Sequence, residues 1–213
     1  MKSVLIIGAT GLVGHQVFLQ CLQNPEINEV RIIVRKETGI IHEKLKELVI
    51  DFEMMKPLKA FMQCDVLINC MGSTMKKAGS KEKFERYDFY YPYNIATYCK
   101  ENGTKRMILL SAMGANLKSM FFYNRIKGKL EEACEQLAFE ELVIVQPSLL
   151  LGNRKESRFG EKLFQKLMPA ISRFLPSDTR PIEASQLAQA IVYHAINSLN
   201  QKVSRIRYKN FFK

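Results

Sequence analysis

Seven residues near the start, Gly8-Ala9-Thr10-Gly11-Leu12-Val13-Gly14, constrain the fold more than any other stretch of the chain. They follow a short apolar run, Ser3-Val4-Leu5-Ile6-Ile7, and open an amphipathic segment from His15 to Leu22. A buried strand, a glycine turn and a helix start together make an anion site. The first N–H groups of a helix lack intrahelical partners, and the positive end of its dipole faces the turn. Glycines let the backbone turn sharply and approach a ligand with no Cβ in the way. The expectation is a bound dinucleotide, cradled by Gly8, Thr10, Gly11, Leu12, Val13 and Gly14. The glycines stand at 8, 11 and 14 and not in the G-x-G-x-x-G arrangement. Weight therefore falls also on the context, a glycine turn directly after a β-rich run. Such turns also serve as plain packing joints.

Strand-like and helix-like runs alternate along the 213 residues. Strands are expected at Val30–Val34, Glu47–Asp51, Asp65–Cys70, Arg106–Leu110 and Leu142–Val145, the last stopped by Pro147. Helices are expected at Phe84–Lys100, kinked near Pro92 and ended by Asn102-Gly103, and at Met120–Leu137. Beyond these come helical stretches near Gly160–Leu167 and Ala184–Asn197, divided by a Pro-containing segment, with a final strand within Lys202–Lys213. Alternation of this kind implies right-handed crossovers and a doubly wound parallel sheet covered on both faces. Ligands in such α/β folds sit at the carboxyl ends of the strands.

Composition narrows the class. Hydrophobic residues make up 47% and charged residues 25%, as in soluble globular proteins. No segment approaches the apolar length needed to span a bilayer, so no integral membrane segment is expected. The apolar run after Lys2 is too short for a signal peptide and flows into the glycine turn. The five cysteines form no C-x-x-C pair and read as reduced thiols, which predicts a cytoplasmic protein. The three histidines are far apart and share no ligand spacing, so no metal site is expected. A net charge of +11 admits nucleic acid, an anionic surface or a phosphorylated ligand. The basic residues are spread out, in loose groups at 76–86, 154–166 and 202–213, so a solvated basic surface is the expectation and nucleic-acid binding is not.

The strand ends carry the chemistry. The second strand ends in Arg35-Lys36, with no Asp or Glu at 34–36. An acidic side chain there holds the ribose 2′-OH of NAD, whereas arginine suits the 2′-phosphate of NADP. NADP(H) is the expected cofactor; the alternative is two surface charges in a loop. The third strand ends at Asp51-Phe52, where a carboxylate could accept from an adenine amino group and a ring could cover it. Core and cap roles fit equally well. The fourth ends in Asn69-Cys70-Met71-Gly72, small residues that let backbone run close to a ligand. The fifth ends at Ser111, followed by Tyr123 and Lys127, which stand four apart on one helix face. A phenol's ordinary pKa is about 10, and a lysine cation beside it favours the phenolate, which suits general acid–base work. A serine hydroxyl suits orientation of a substrate carbonyl. Y-x-x-x-K pairs also arise by chance; the serine-tipped fifth strand in a dinucleotide fold weighs against that.

Together these residues resemble the short-chain dehydrogenase/reductase superfamily. Within its atypical members the chain resembles the Tat-interacting-protein-like oxidoreductases. The glycine turn, Ser111, Tyr123 and Lys127 match the superfamily. The nearer resemblance lies in the run Phe122–Glu131, in Gln146–Arg154 and in Glu156–Glu161. It implies a single NAD(P)-binding Rossmann domain over 1–213, with 152–213 on the substrate side, and an NADPH-dependent oxidoreductase acting on a small-molecule substrate. Tyr123 would protonate the substrate oxygen, Lys127 would hold the nicotinamide ribose, and Ser111 would position the carbonyl. Asn69, Cys70, Met71 and Gly72 would line the cofactor, with Pro147, Ser148 and Leu149 near the nicotinamide. The resemblance also implies an alternative, an NADPH-binding regulatory or scaffold protein with a protein partner. The chain departs from the pattern at Gln146, where relatives often have arginine, and at Ala112, where many have a second serine. The fourth superfamily position stays unassigned: Asn94 is poorly spaced from Ser111, and Asp88 lies nearer.

Overall fold

The apolar runs lie side by side in one direction instead of folding into hairpins. The computed structural model describes residues 1–52, 61–151 and 180–211. In chain order the elements are β1 (Lys2–Ile7), α1 (Leu12–Gln23), β2 (Ile27–Val34), β3 (Leu45–Val49) and β4 (Val66–Asn69). Next come α2 (Met75–Ala78), α3 (Lys81–Glu85), a π-helical turn (Arg86–Tyr90), α4 (Tyr91–Glu101) and β5 (Arg106–Leu110). α5 (Phe122–Gln136), β6 (Glu141–Val145), β7 (Leu150–Leu151), β8 (Ile182–Glu183), α6 (Ala184–Ile196) and β9 (Val203–Ile206) complete the described chain, followed by a 3-10 turn over Tyr208–Asn210. The expected helix near Gly160–Leu167 and the Pro-containing segment lie outside the described residues, as does the 152–179 part of the substrate side.

Seven strands form one parallel sheet in the order β3-β2-β1-β4-β5-β6-β9. This is the doubly wound fold expected from the alternation. Strands covered on both faces need continuous apolar runs, and β4 and β6 are buried at every residue. Along β1 successive side chains enter opposite cores. Val4 and Ile6 pack with Val17 and Phe18 of α1 and with Leu187 and Ile191 of α6. Leu5 and Ile7 pack on the other face with Ile95 of α4 and Ile126 and Leu130 of α5. The order of strands reverses between β1 and β4, which opens a crevice above their carboxyl ends.

Three expectations shift. β3 runs Leu45–Val49, two residues earlier than the sequence pattern indicated, because its register is set by pairing with Val30–Val34 of β2 and not by its own apolar residues. It is an edge strand, and no residue in it is fully buried. The helix expected over Phe84–Lys100 is divided. Pro92 has no N–H for the preceding turn, and the Tyr91 N–H reaches back to the Arg86 carbonyl, widening that turn to π. The tail strand is short, Val203–Ile206, and the parallel pair β7–β8 has no clear signature in the sequence.

Candidate active site

α1 begins at Leu12, three residues before the apolar periodicity indicated, so its first N–H groups belong to the glycine turn itself. Gly11 caps it without a side-chain hydrogen bond, and no acidic residue stands in the first turn to compete for those N–H groups. Gly8 has φ +79°, and a Cβ there would lie 2.5 Å from the Cys70 carbonyl oxygen. A Cβ at Gly14 would lie 2.1 Å from the Gly8 carbonyl oxygen. The turn is thus pressed against the end of β4 beneath and open above, where Thr10 and Gly11 are exposed.

β4 hands on a second strip of close backbone. Asn69 is buried; its Oδ1 accepts from the Met71 N–H at 3.0 Å, and its Nδ2 has no hydrogen-bond partner among the described residues. Gly72 faces a buried ion pair: a Cβ on it would stand 3.1 Å from Lys127 Nζ and 3.2 Å from Asp88 Oδ1. Lys127 Nζ and Asp88 Oδ1 are 3.0 Å apart, and Asp88 Oδ2 accepts from the Ser73 N–H at 2.7 Å. Burial works to lower the Lys127 ammonium, yet Asp88, Tyr123 and Glu131 facing it hold it above its ordinary value. Burial also raises the Asp88 carboxyl, against the pull of Lys127 and the Ser73 N–H.

Tyr123 enters from the first turn of α5, one turn before Lys127, with its ring 5.9 Å from that of Phe84. Ser111 follows β5, its N–H donating to the Val145 carbonyl at 2.8 Å, and its hydroxyl donates to Glu131 of α5. Across the crevice the Pro147 carbonyl accepts from the Met113 N–H at 2.9 Å, and the Leu149 carbonyl accepts from the Ile182 N–H at 3.0 Å.

One crevice therefore brings together most of the residues expected from the sequence. Gly11, Leu12 and Val13 form its floor beside Cys70, Met71 and Gly72, while Ser111, Tyr123 and Lys127 face Pro147, Ser148 and Leu149. Gly8, Gly14 and Asn69 shape the turn from below. Arg35, Lys36 and Asp51 stand apart and exposed at the ends of β2 and β3, with the Arg35 guanidinium 6.0 Å from the Tyr87 ring. Phe52 is buried against Tyr91, a core role in place of a cover over adenine. The residues fit a dinucleotide: a glycine turn too closely packed beneath for a Cβ at Gly8 or Gly14 and open above, an uncapped helix N-terminus and a buried cation. The sequence reading left Asp88 unassigned and passed over Glu131. Only Glu131 had a periodicity signal, since it stands four residues beyond Lys127 and shares its helix face.

Known proteins show the family and the fold. The profile of the HIM1 family matches residues 32–175. "Protein FMP52, mitochondrial" of Candida albicans is 33% identical over 207 residues, covering 93% of this chain and 90% of that protein. "Protein HTATIP2" of Rattus norvegicus is 35% identical over 174 residues, covering 80% of this chain and 72% of that protein. Among solved structures, MoeE5 in complex with UDP-glucuronic acid and NAD superposes with a TM-score of 0.75 at 14% identity, covering 97% of this chain and 76% of that one. The Bordetella bronchiseptica enzyme WbmH in complex with NAD+ gives 0.73 at 16%, covering 97% and 75%. These two share the fold. The relatives correct the expected cytoplasmic location: several fungal ones are named mitochondrial, and thiol usage alone did not separate the compartments. The resemblance to the Tat-interacting-protein-like group is borne out by the rat relative, and the chain belongs to the HIM1 family.

Proposed function

We propose that the chain is an NADP(H)-dependent oxidoreductase that reduces a small carbonyl-like substrate. The observation that carries this reading is the placement of Tyr123 and the buried, Asp88-paired Lys127 in the same crevice as the glycine turn. The structural neighbours named as complexes with NAD support a nicotinamide dinucleotide. Arg35, with no acidic residue at 34–36, supports the 2′-phosphorylated form.

Each residue has a role that follows from its place. The uncapped N–H groups of Leu12 and Val13 would receive the pyrophosphate, and the close glycine backbone would leave room for it. Lys127 would hold the ribose on the nicotinamide side and lends positive charge to Tyr123. Tyr123 delivers a proton to the substrate oxygen as that oxygen gains negative charge. Pro147, Ser148 and Leu149 wall the crevice opposite and keep water from the reacting face. When bound, the nicotinamide supplies the hydride.

Oxidation of NADPH against a panel of small carbonyls and quinones tests the proposal, with Tyr123→Phe as the control. Turnover that falls at least about a hundredfold in the variant supports it, in the range for loss of a general acid. Unchanged turnover would remove Tyr123 from the mechanism. A mitochondrial location belongs to the same proposal, drawn from the names of the fungal relatives.

A further inference from the structure

Cys64 and Cys99 are far apart in the chain and meet in the fold. α4 ends in a Schellman motif: Gly103 turns back with φ +87°, its N–H donates to the Lys100 carbonyl at 3.0 Å, and the Thr104 N–H donates to the Cys99 carbonyl at 3.0 Å. This sets Thr104 beside Cys99 and aims its side chain at Cys64, just ahead of β4. Thr104 Oγ1 donates to the Cys64 carbonyl at 2.9 Å and lies 3.4 Å from Cys64 Sγ. The two thiols share a hydrogen bond of their own. Cys99 is fully buried, and Cys64 keeps a 7% edge to solvent. All three residues stand at the amino end of β4 and β5, opposite the crevice, and none of them lines it.

The pair is unequal. A thiolate, and not a thiol, attacks an electrophile. Cys99 donates its S–H to Cys64, and this outweighs burial to hold the Cys64 thiol below its ordinary value, with Thr104 and the Leu5 backbone acting the same way. The same bond, together with burial, pushes the Cys99 thiol up. Burial pushes Cys21, Cys70 and Cys134 up as well, the last two to about 12. Among the five thiols Cys64 is therefore the nucleophile, and its neighbour is the thiol that keeps its proton.

We propose that Cys64 and Cys99 form a peroxide-reactive dithiol, which a small hydroperoxide closes to a disulfide and a thiol reductant reopens. The Cys64 thiolate attacks one oxygen of hydrogen peroxide. An S–O bond forms, the O–O bond breaks, the sulfur passes two electrons to the peroxide, and the departing hydroxide takes up the proton that Cys64 released. The Cys99 sulfur then attacks the Cys64 sulfenic acid. The S–S bond forms, the S–O bond breaks, and hydroxide leaves with the Cys99 proton as water. Two thiols and one peroxide give one disulfide and two waters. A resolving thiol already in contact closes the bond before the sulfenic acid is oxidised further. The site is separate from the proposed reduction and does not depend on it.

The test uses the full chain, reduced and then freed of reductant. It is treated with a small excess of hydrogen peroxide, denatured, and labelled with a polyethylene-glycol maleimide, which adds one gel step for each free thiol. Untreated protein takes up five labels, one per cysteine. Treated monomer should take up two fewer, peptide mapping should join Cys64 to Cys99, and dithiothreitol should restore the full set. Cys99→Ser keeps a hydrogen-bond donor beside Cys64 but removes the resolving sulfur, so dimedone should trap a sulfenic acid on Cys64. The wild-type count needs no variant and stands whether or not the substitution is tolerated. A full set of labels after peroxide, a bond between other cysteines, or bonds only between chains overturns the inference. Dimedone on another cysteine and not on Cys64 in the Cys99→Ser protein overturns it too.

Discussion

Lys127 Nζ lies 3.0 Å from Asp88 Oδ1, and the two side chains are 5% and 0% exposed. The pair ties α5 to the π-helical turn, so the lysine beneath the crevice is fixed from the opposite helix. Removing one partner of a buried pair strands the other charge, which costs about 3 kcal/mol or more. Asp88→Asn is therefore expected to lower the melting temperature by roughly 6–12 °C for a chain of this size. The double variant Asp88→Leu with Lys127→Met should recover much of that loss, because a packed apolar pair is often as stable as the ions it replaces. Thermal unfolding of the three proteins checks it. An Asp88→Asn protein as stable as the wild type would show that the ion pair carries no charge that needs a partner.

The glycine turn predicts a graded response. A Cβ at Gly14 would stand 2.1 Å from the Gly8 carbonyl oxygen, and one at Gly11 would stand 3.2 Å from the same atom. The first contact is impossible without moving backbone, and the second needs only a shift of a few tenths of an ångström. Gly14→Ala should weaken dinucleotide binding by well over tenfold, more than about 1.4 kcal/mol. Gly11→Ala should lose less. Isothermal titration with NADPH orders the two variants; the reverse order would mean that the turn does not form the cradle.

Much of this was legible in the sequence, for physical reasons that differ between elements. β1, β4 and β6 are buried on both faces, so their apolar runs are unbroken and easy to read. Tyr123 and Lys127 share a helix face by spacing alone. β3 was displaced because an edge strand takes its register from a neighbour, and its own residues do little to specify it. The π-helical turn was hidden because its cause, Pro92, lies beyond its end, and this turn carries Asp88. The role of Asp88 depends on contact between that turn and α5, which no local pattern encodes. Glu131 was passed over because a glutamate on a helix usually faces solvent, and its burial depends on donors that come from elsewhere in the chain, Ser111 after β5, Gln146 after β6 and Arg205 of β9.

Arg35 sets a prediction about cofactor choice. Its guanidinium stands exposed at the end of β2, 6.0 Å from the Tyr87 ring, a geometry that holds a planar cation. If it meets a 2′-phosphate, Arg35→Ala should weaken NADPH binding about tenfold to a hundredfold, the range for charge-assisted hydrogen bonds, and leave NADH binding unchanged. Raising the salt concentration should narrow the difference, since the site is exposed. Equal losses for the two dinucleotides would assign Arg35 to the surface.

His194 gives the chain a built-in pH dependence. It lies in the last turn of α6 with no exposed surface, where the helix dipole favours the imidazolium. Burial opposes this and wins: the imidazole is held below its ordinary value, with the Phe211 backbone and Glu141 pulling more weakly the other way. The sign follows from which state takes up the proton first. As pH falls through about 6.5, the ordinary value for histidine, the unfolded chain binds a proton that the folded chain refuses. The contribution of His194 to stability is therefore complete above that pH, declines below it with a slope of at most about 1.4 kcal/mol per pH unit, and levels off once the folded imidazole also titrates. Urea unfolding at a series of pH values between 7.5 and 5 measures this, with His194→Leu as the comparison. The variant should show a shallower decline over the same interval. Parallel curves would place the acid sensitivity of the fold in its carboxyl groups and not in His194.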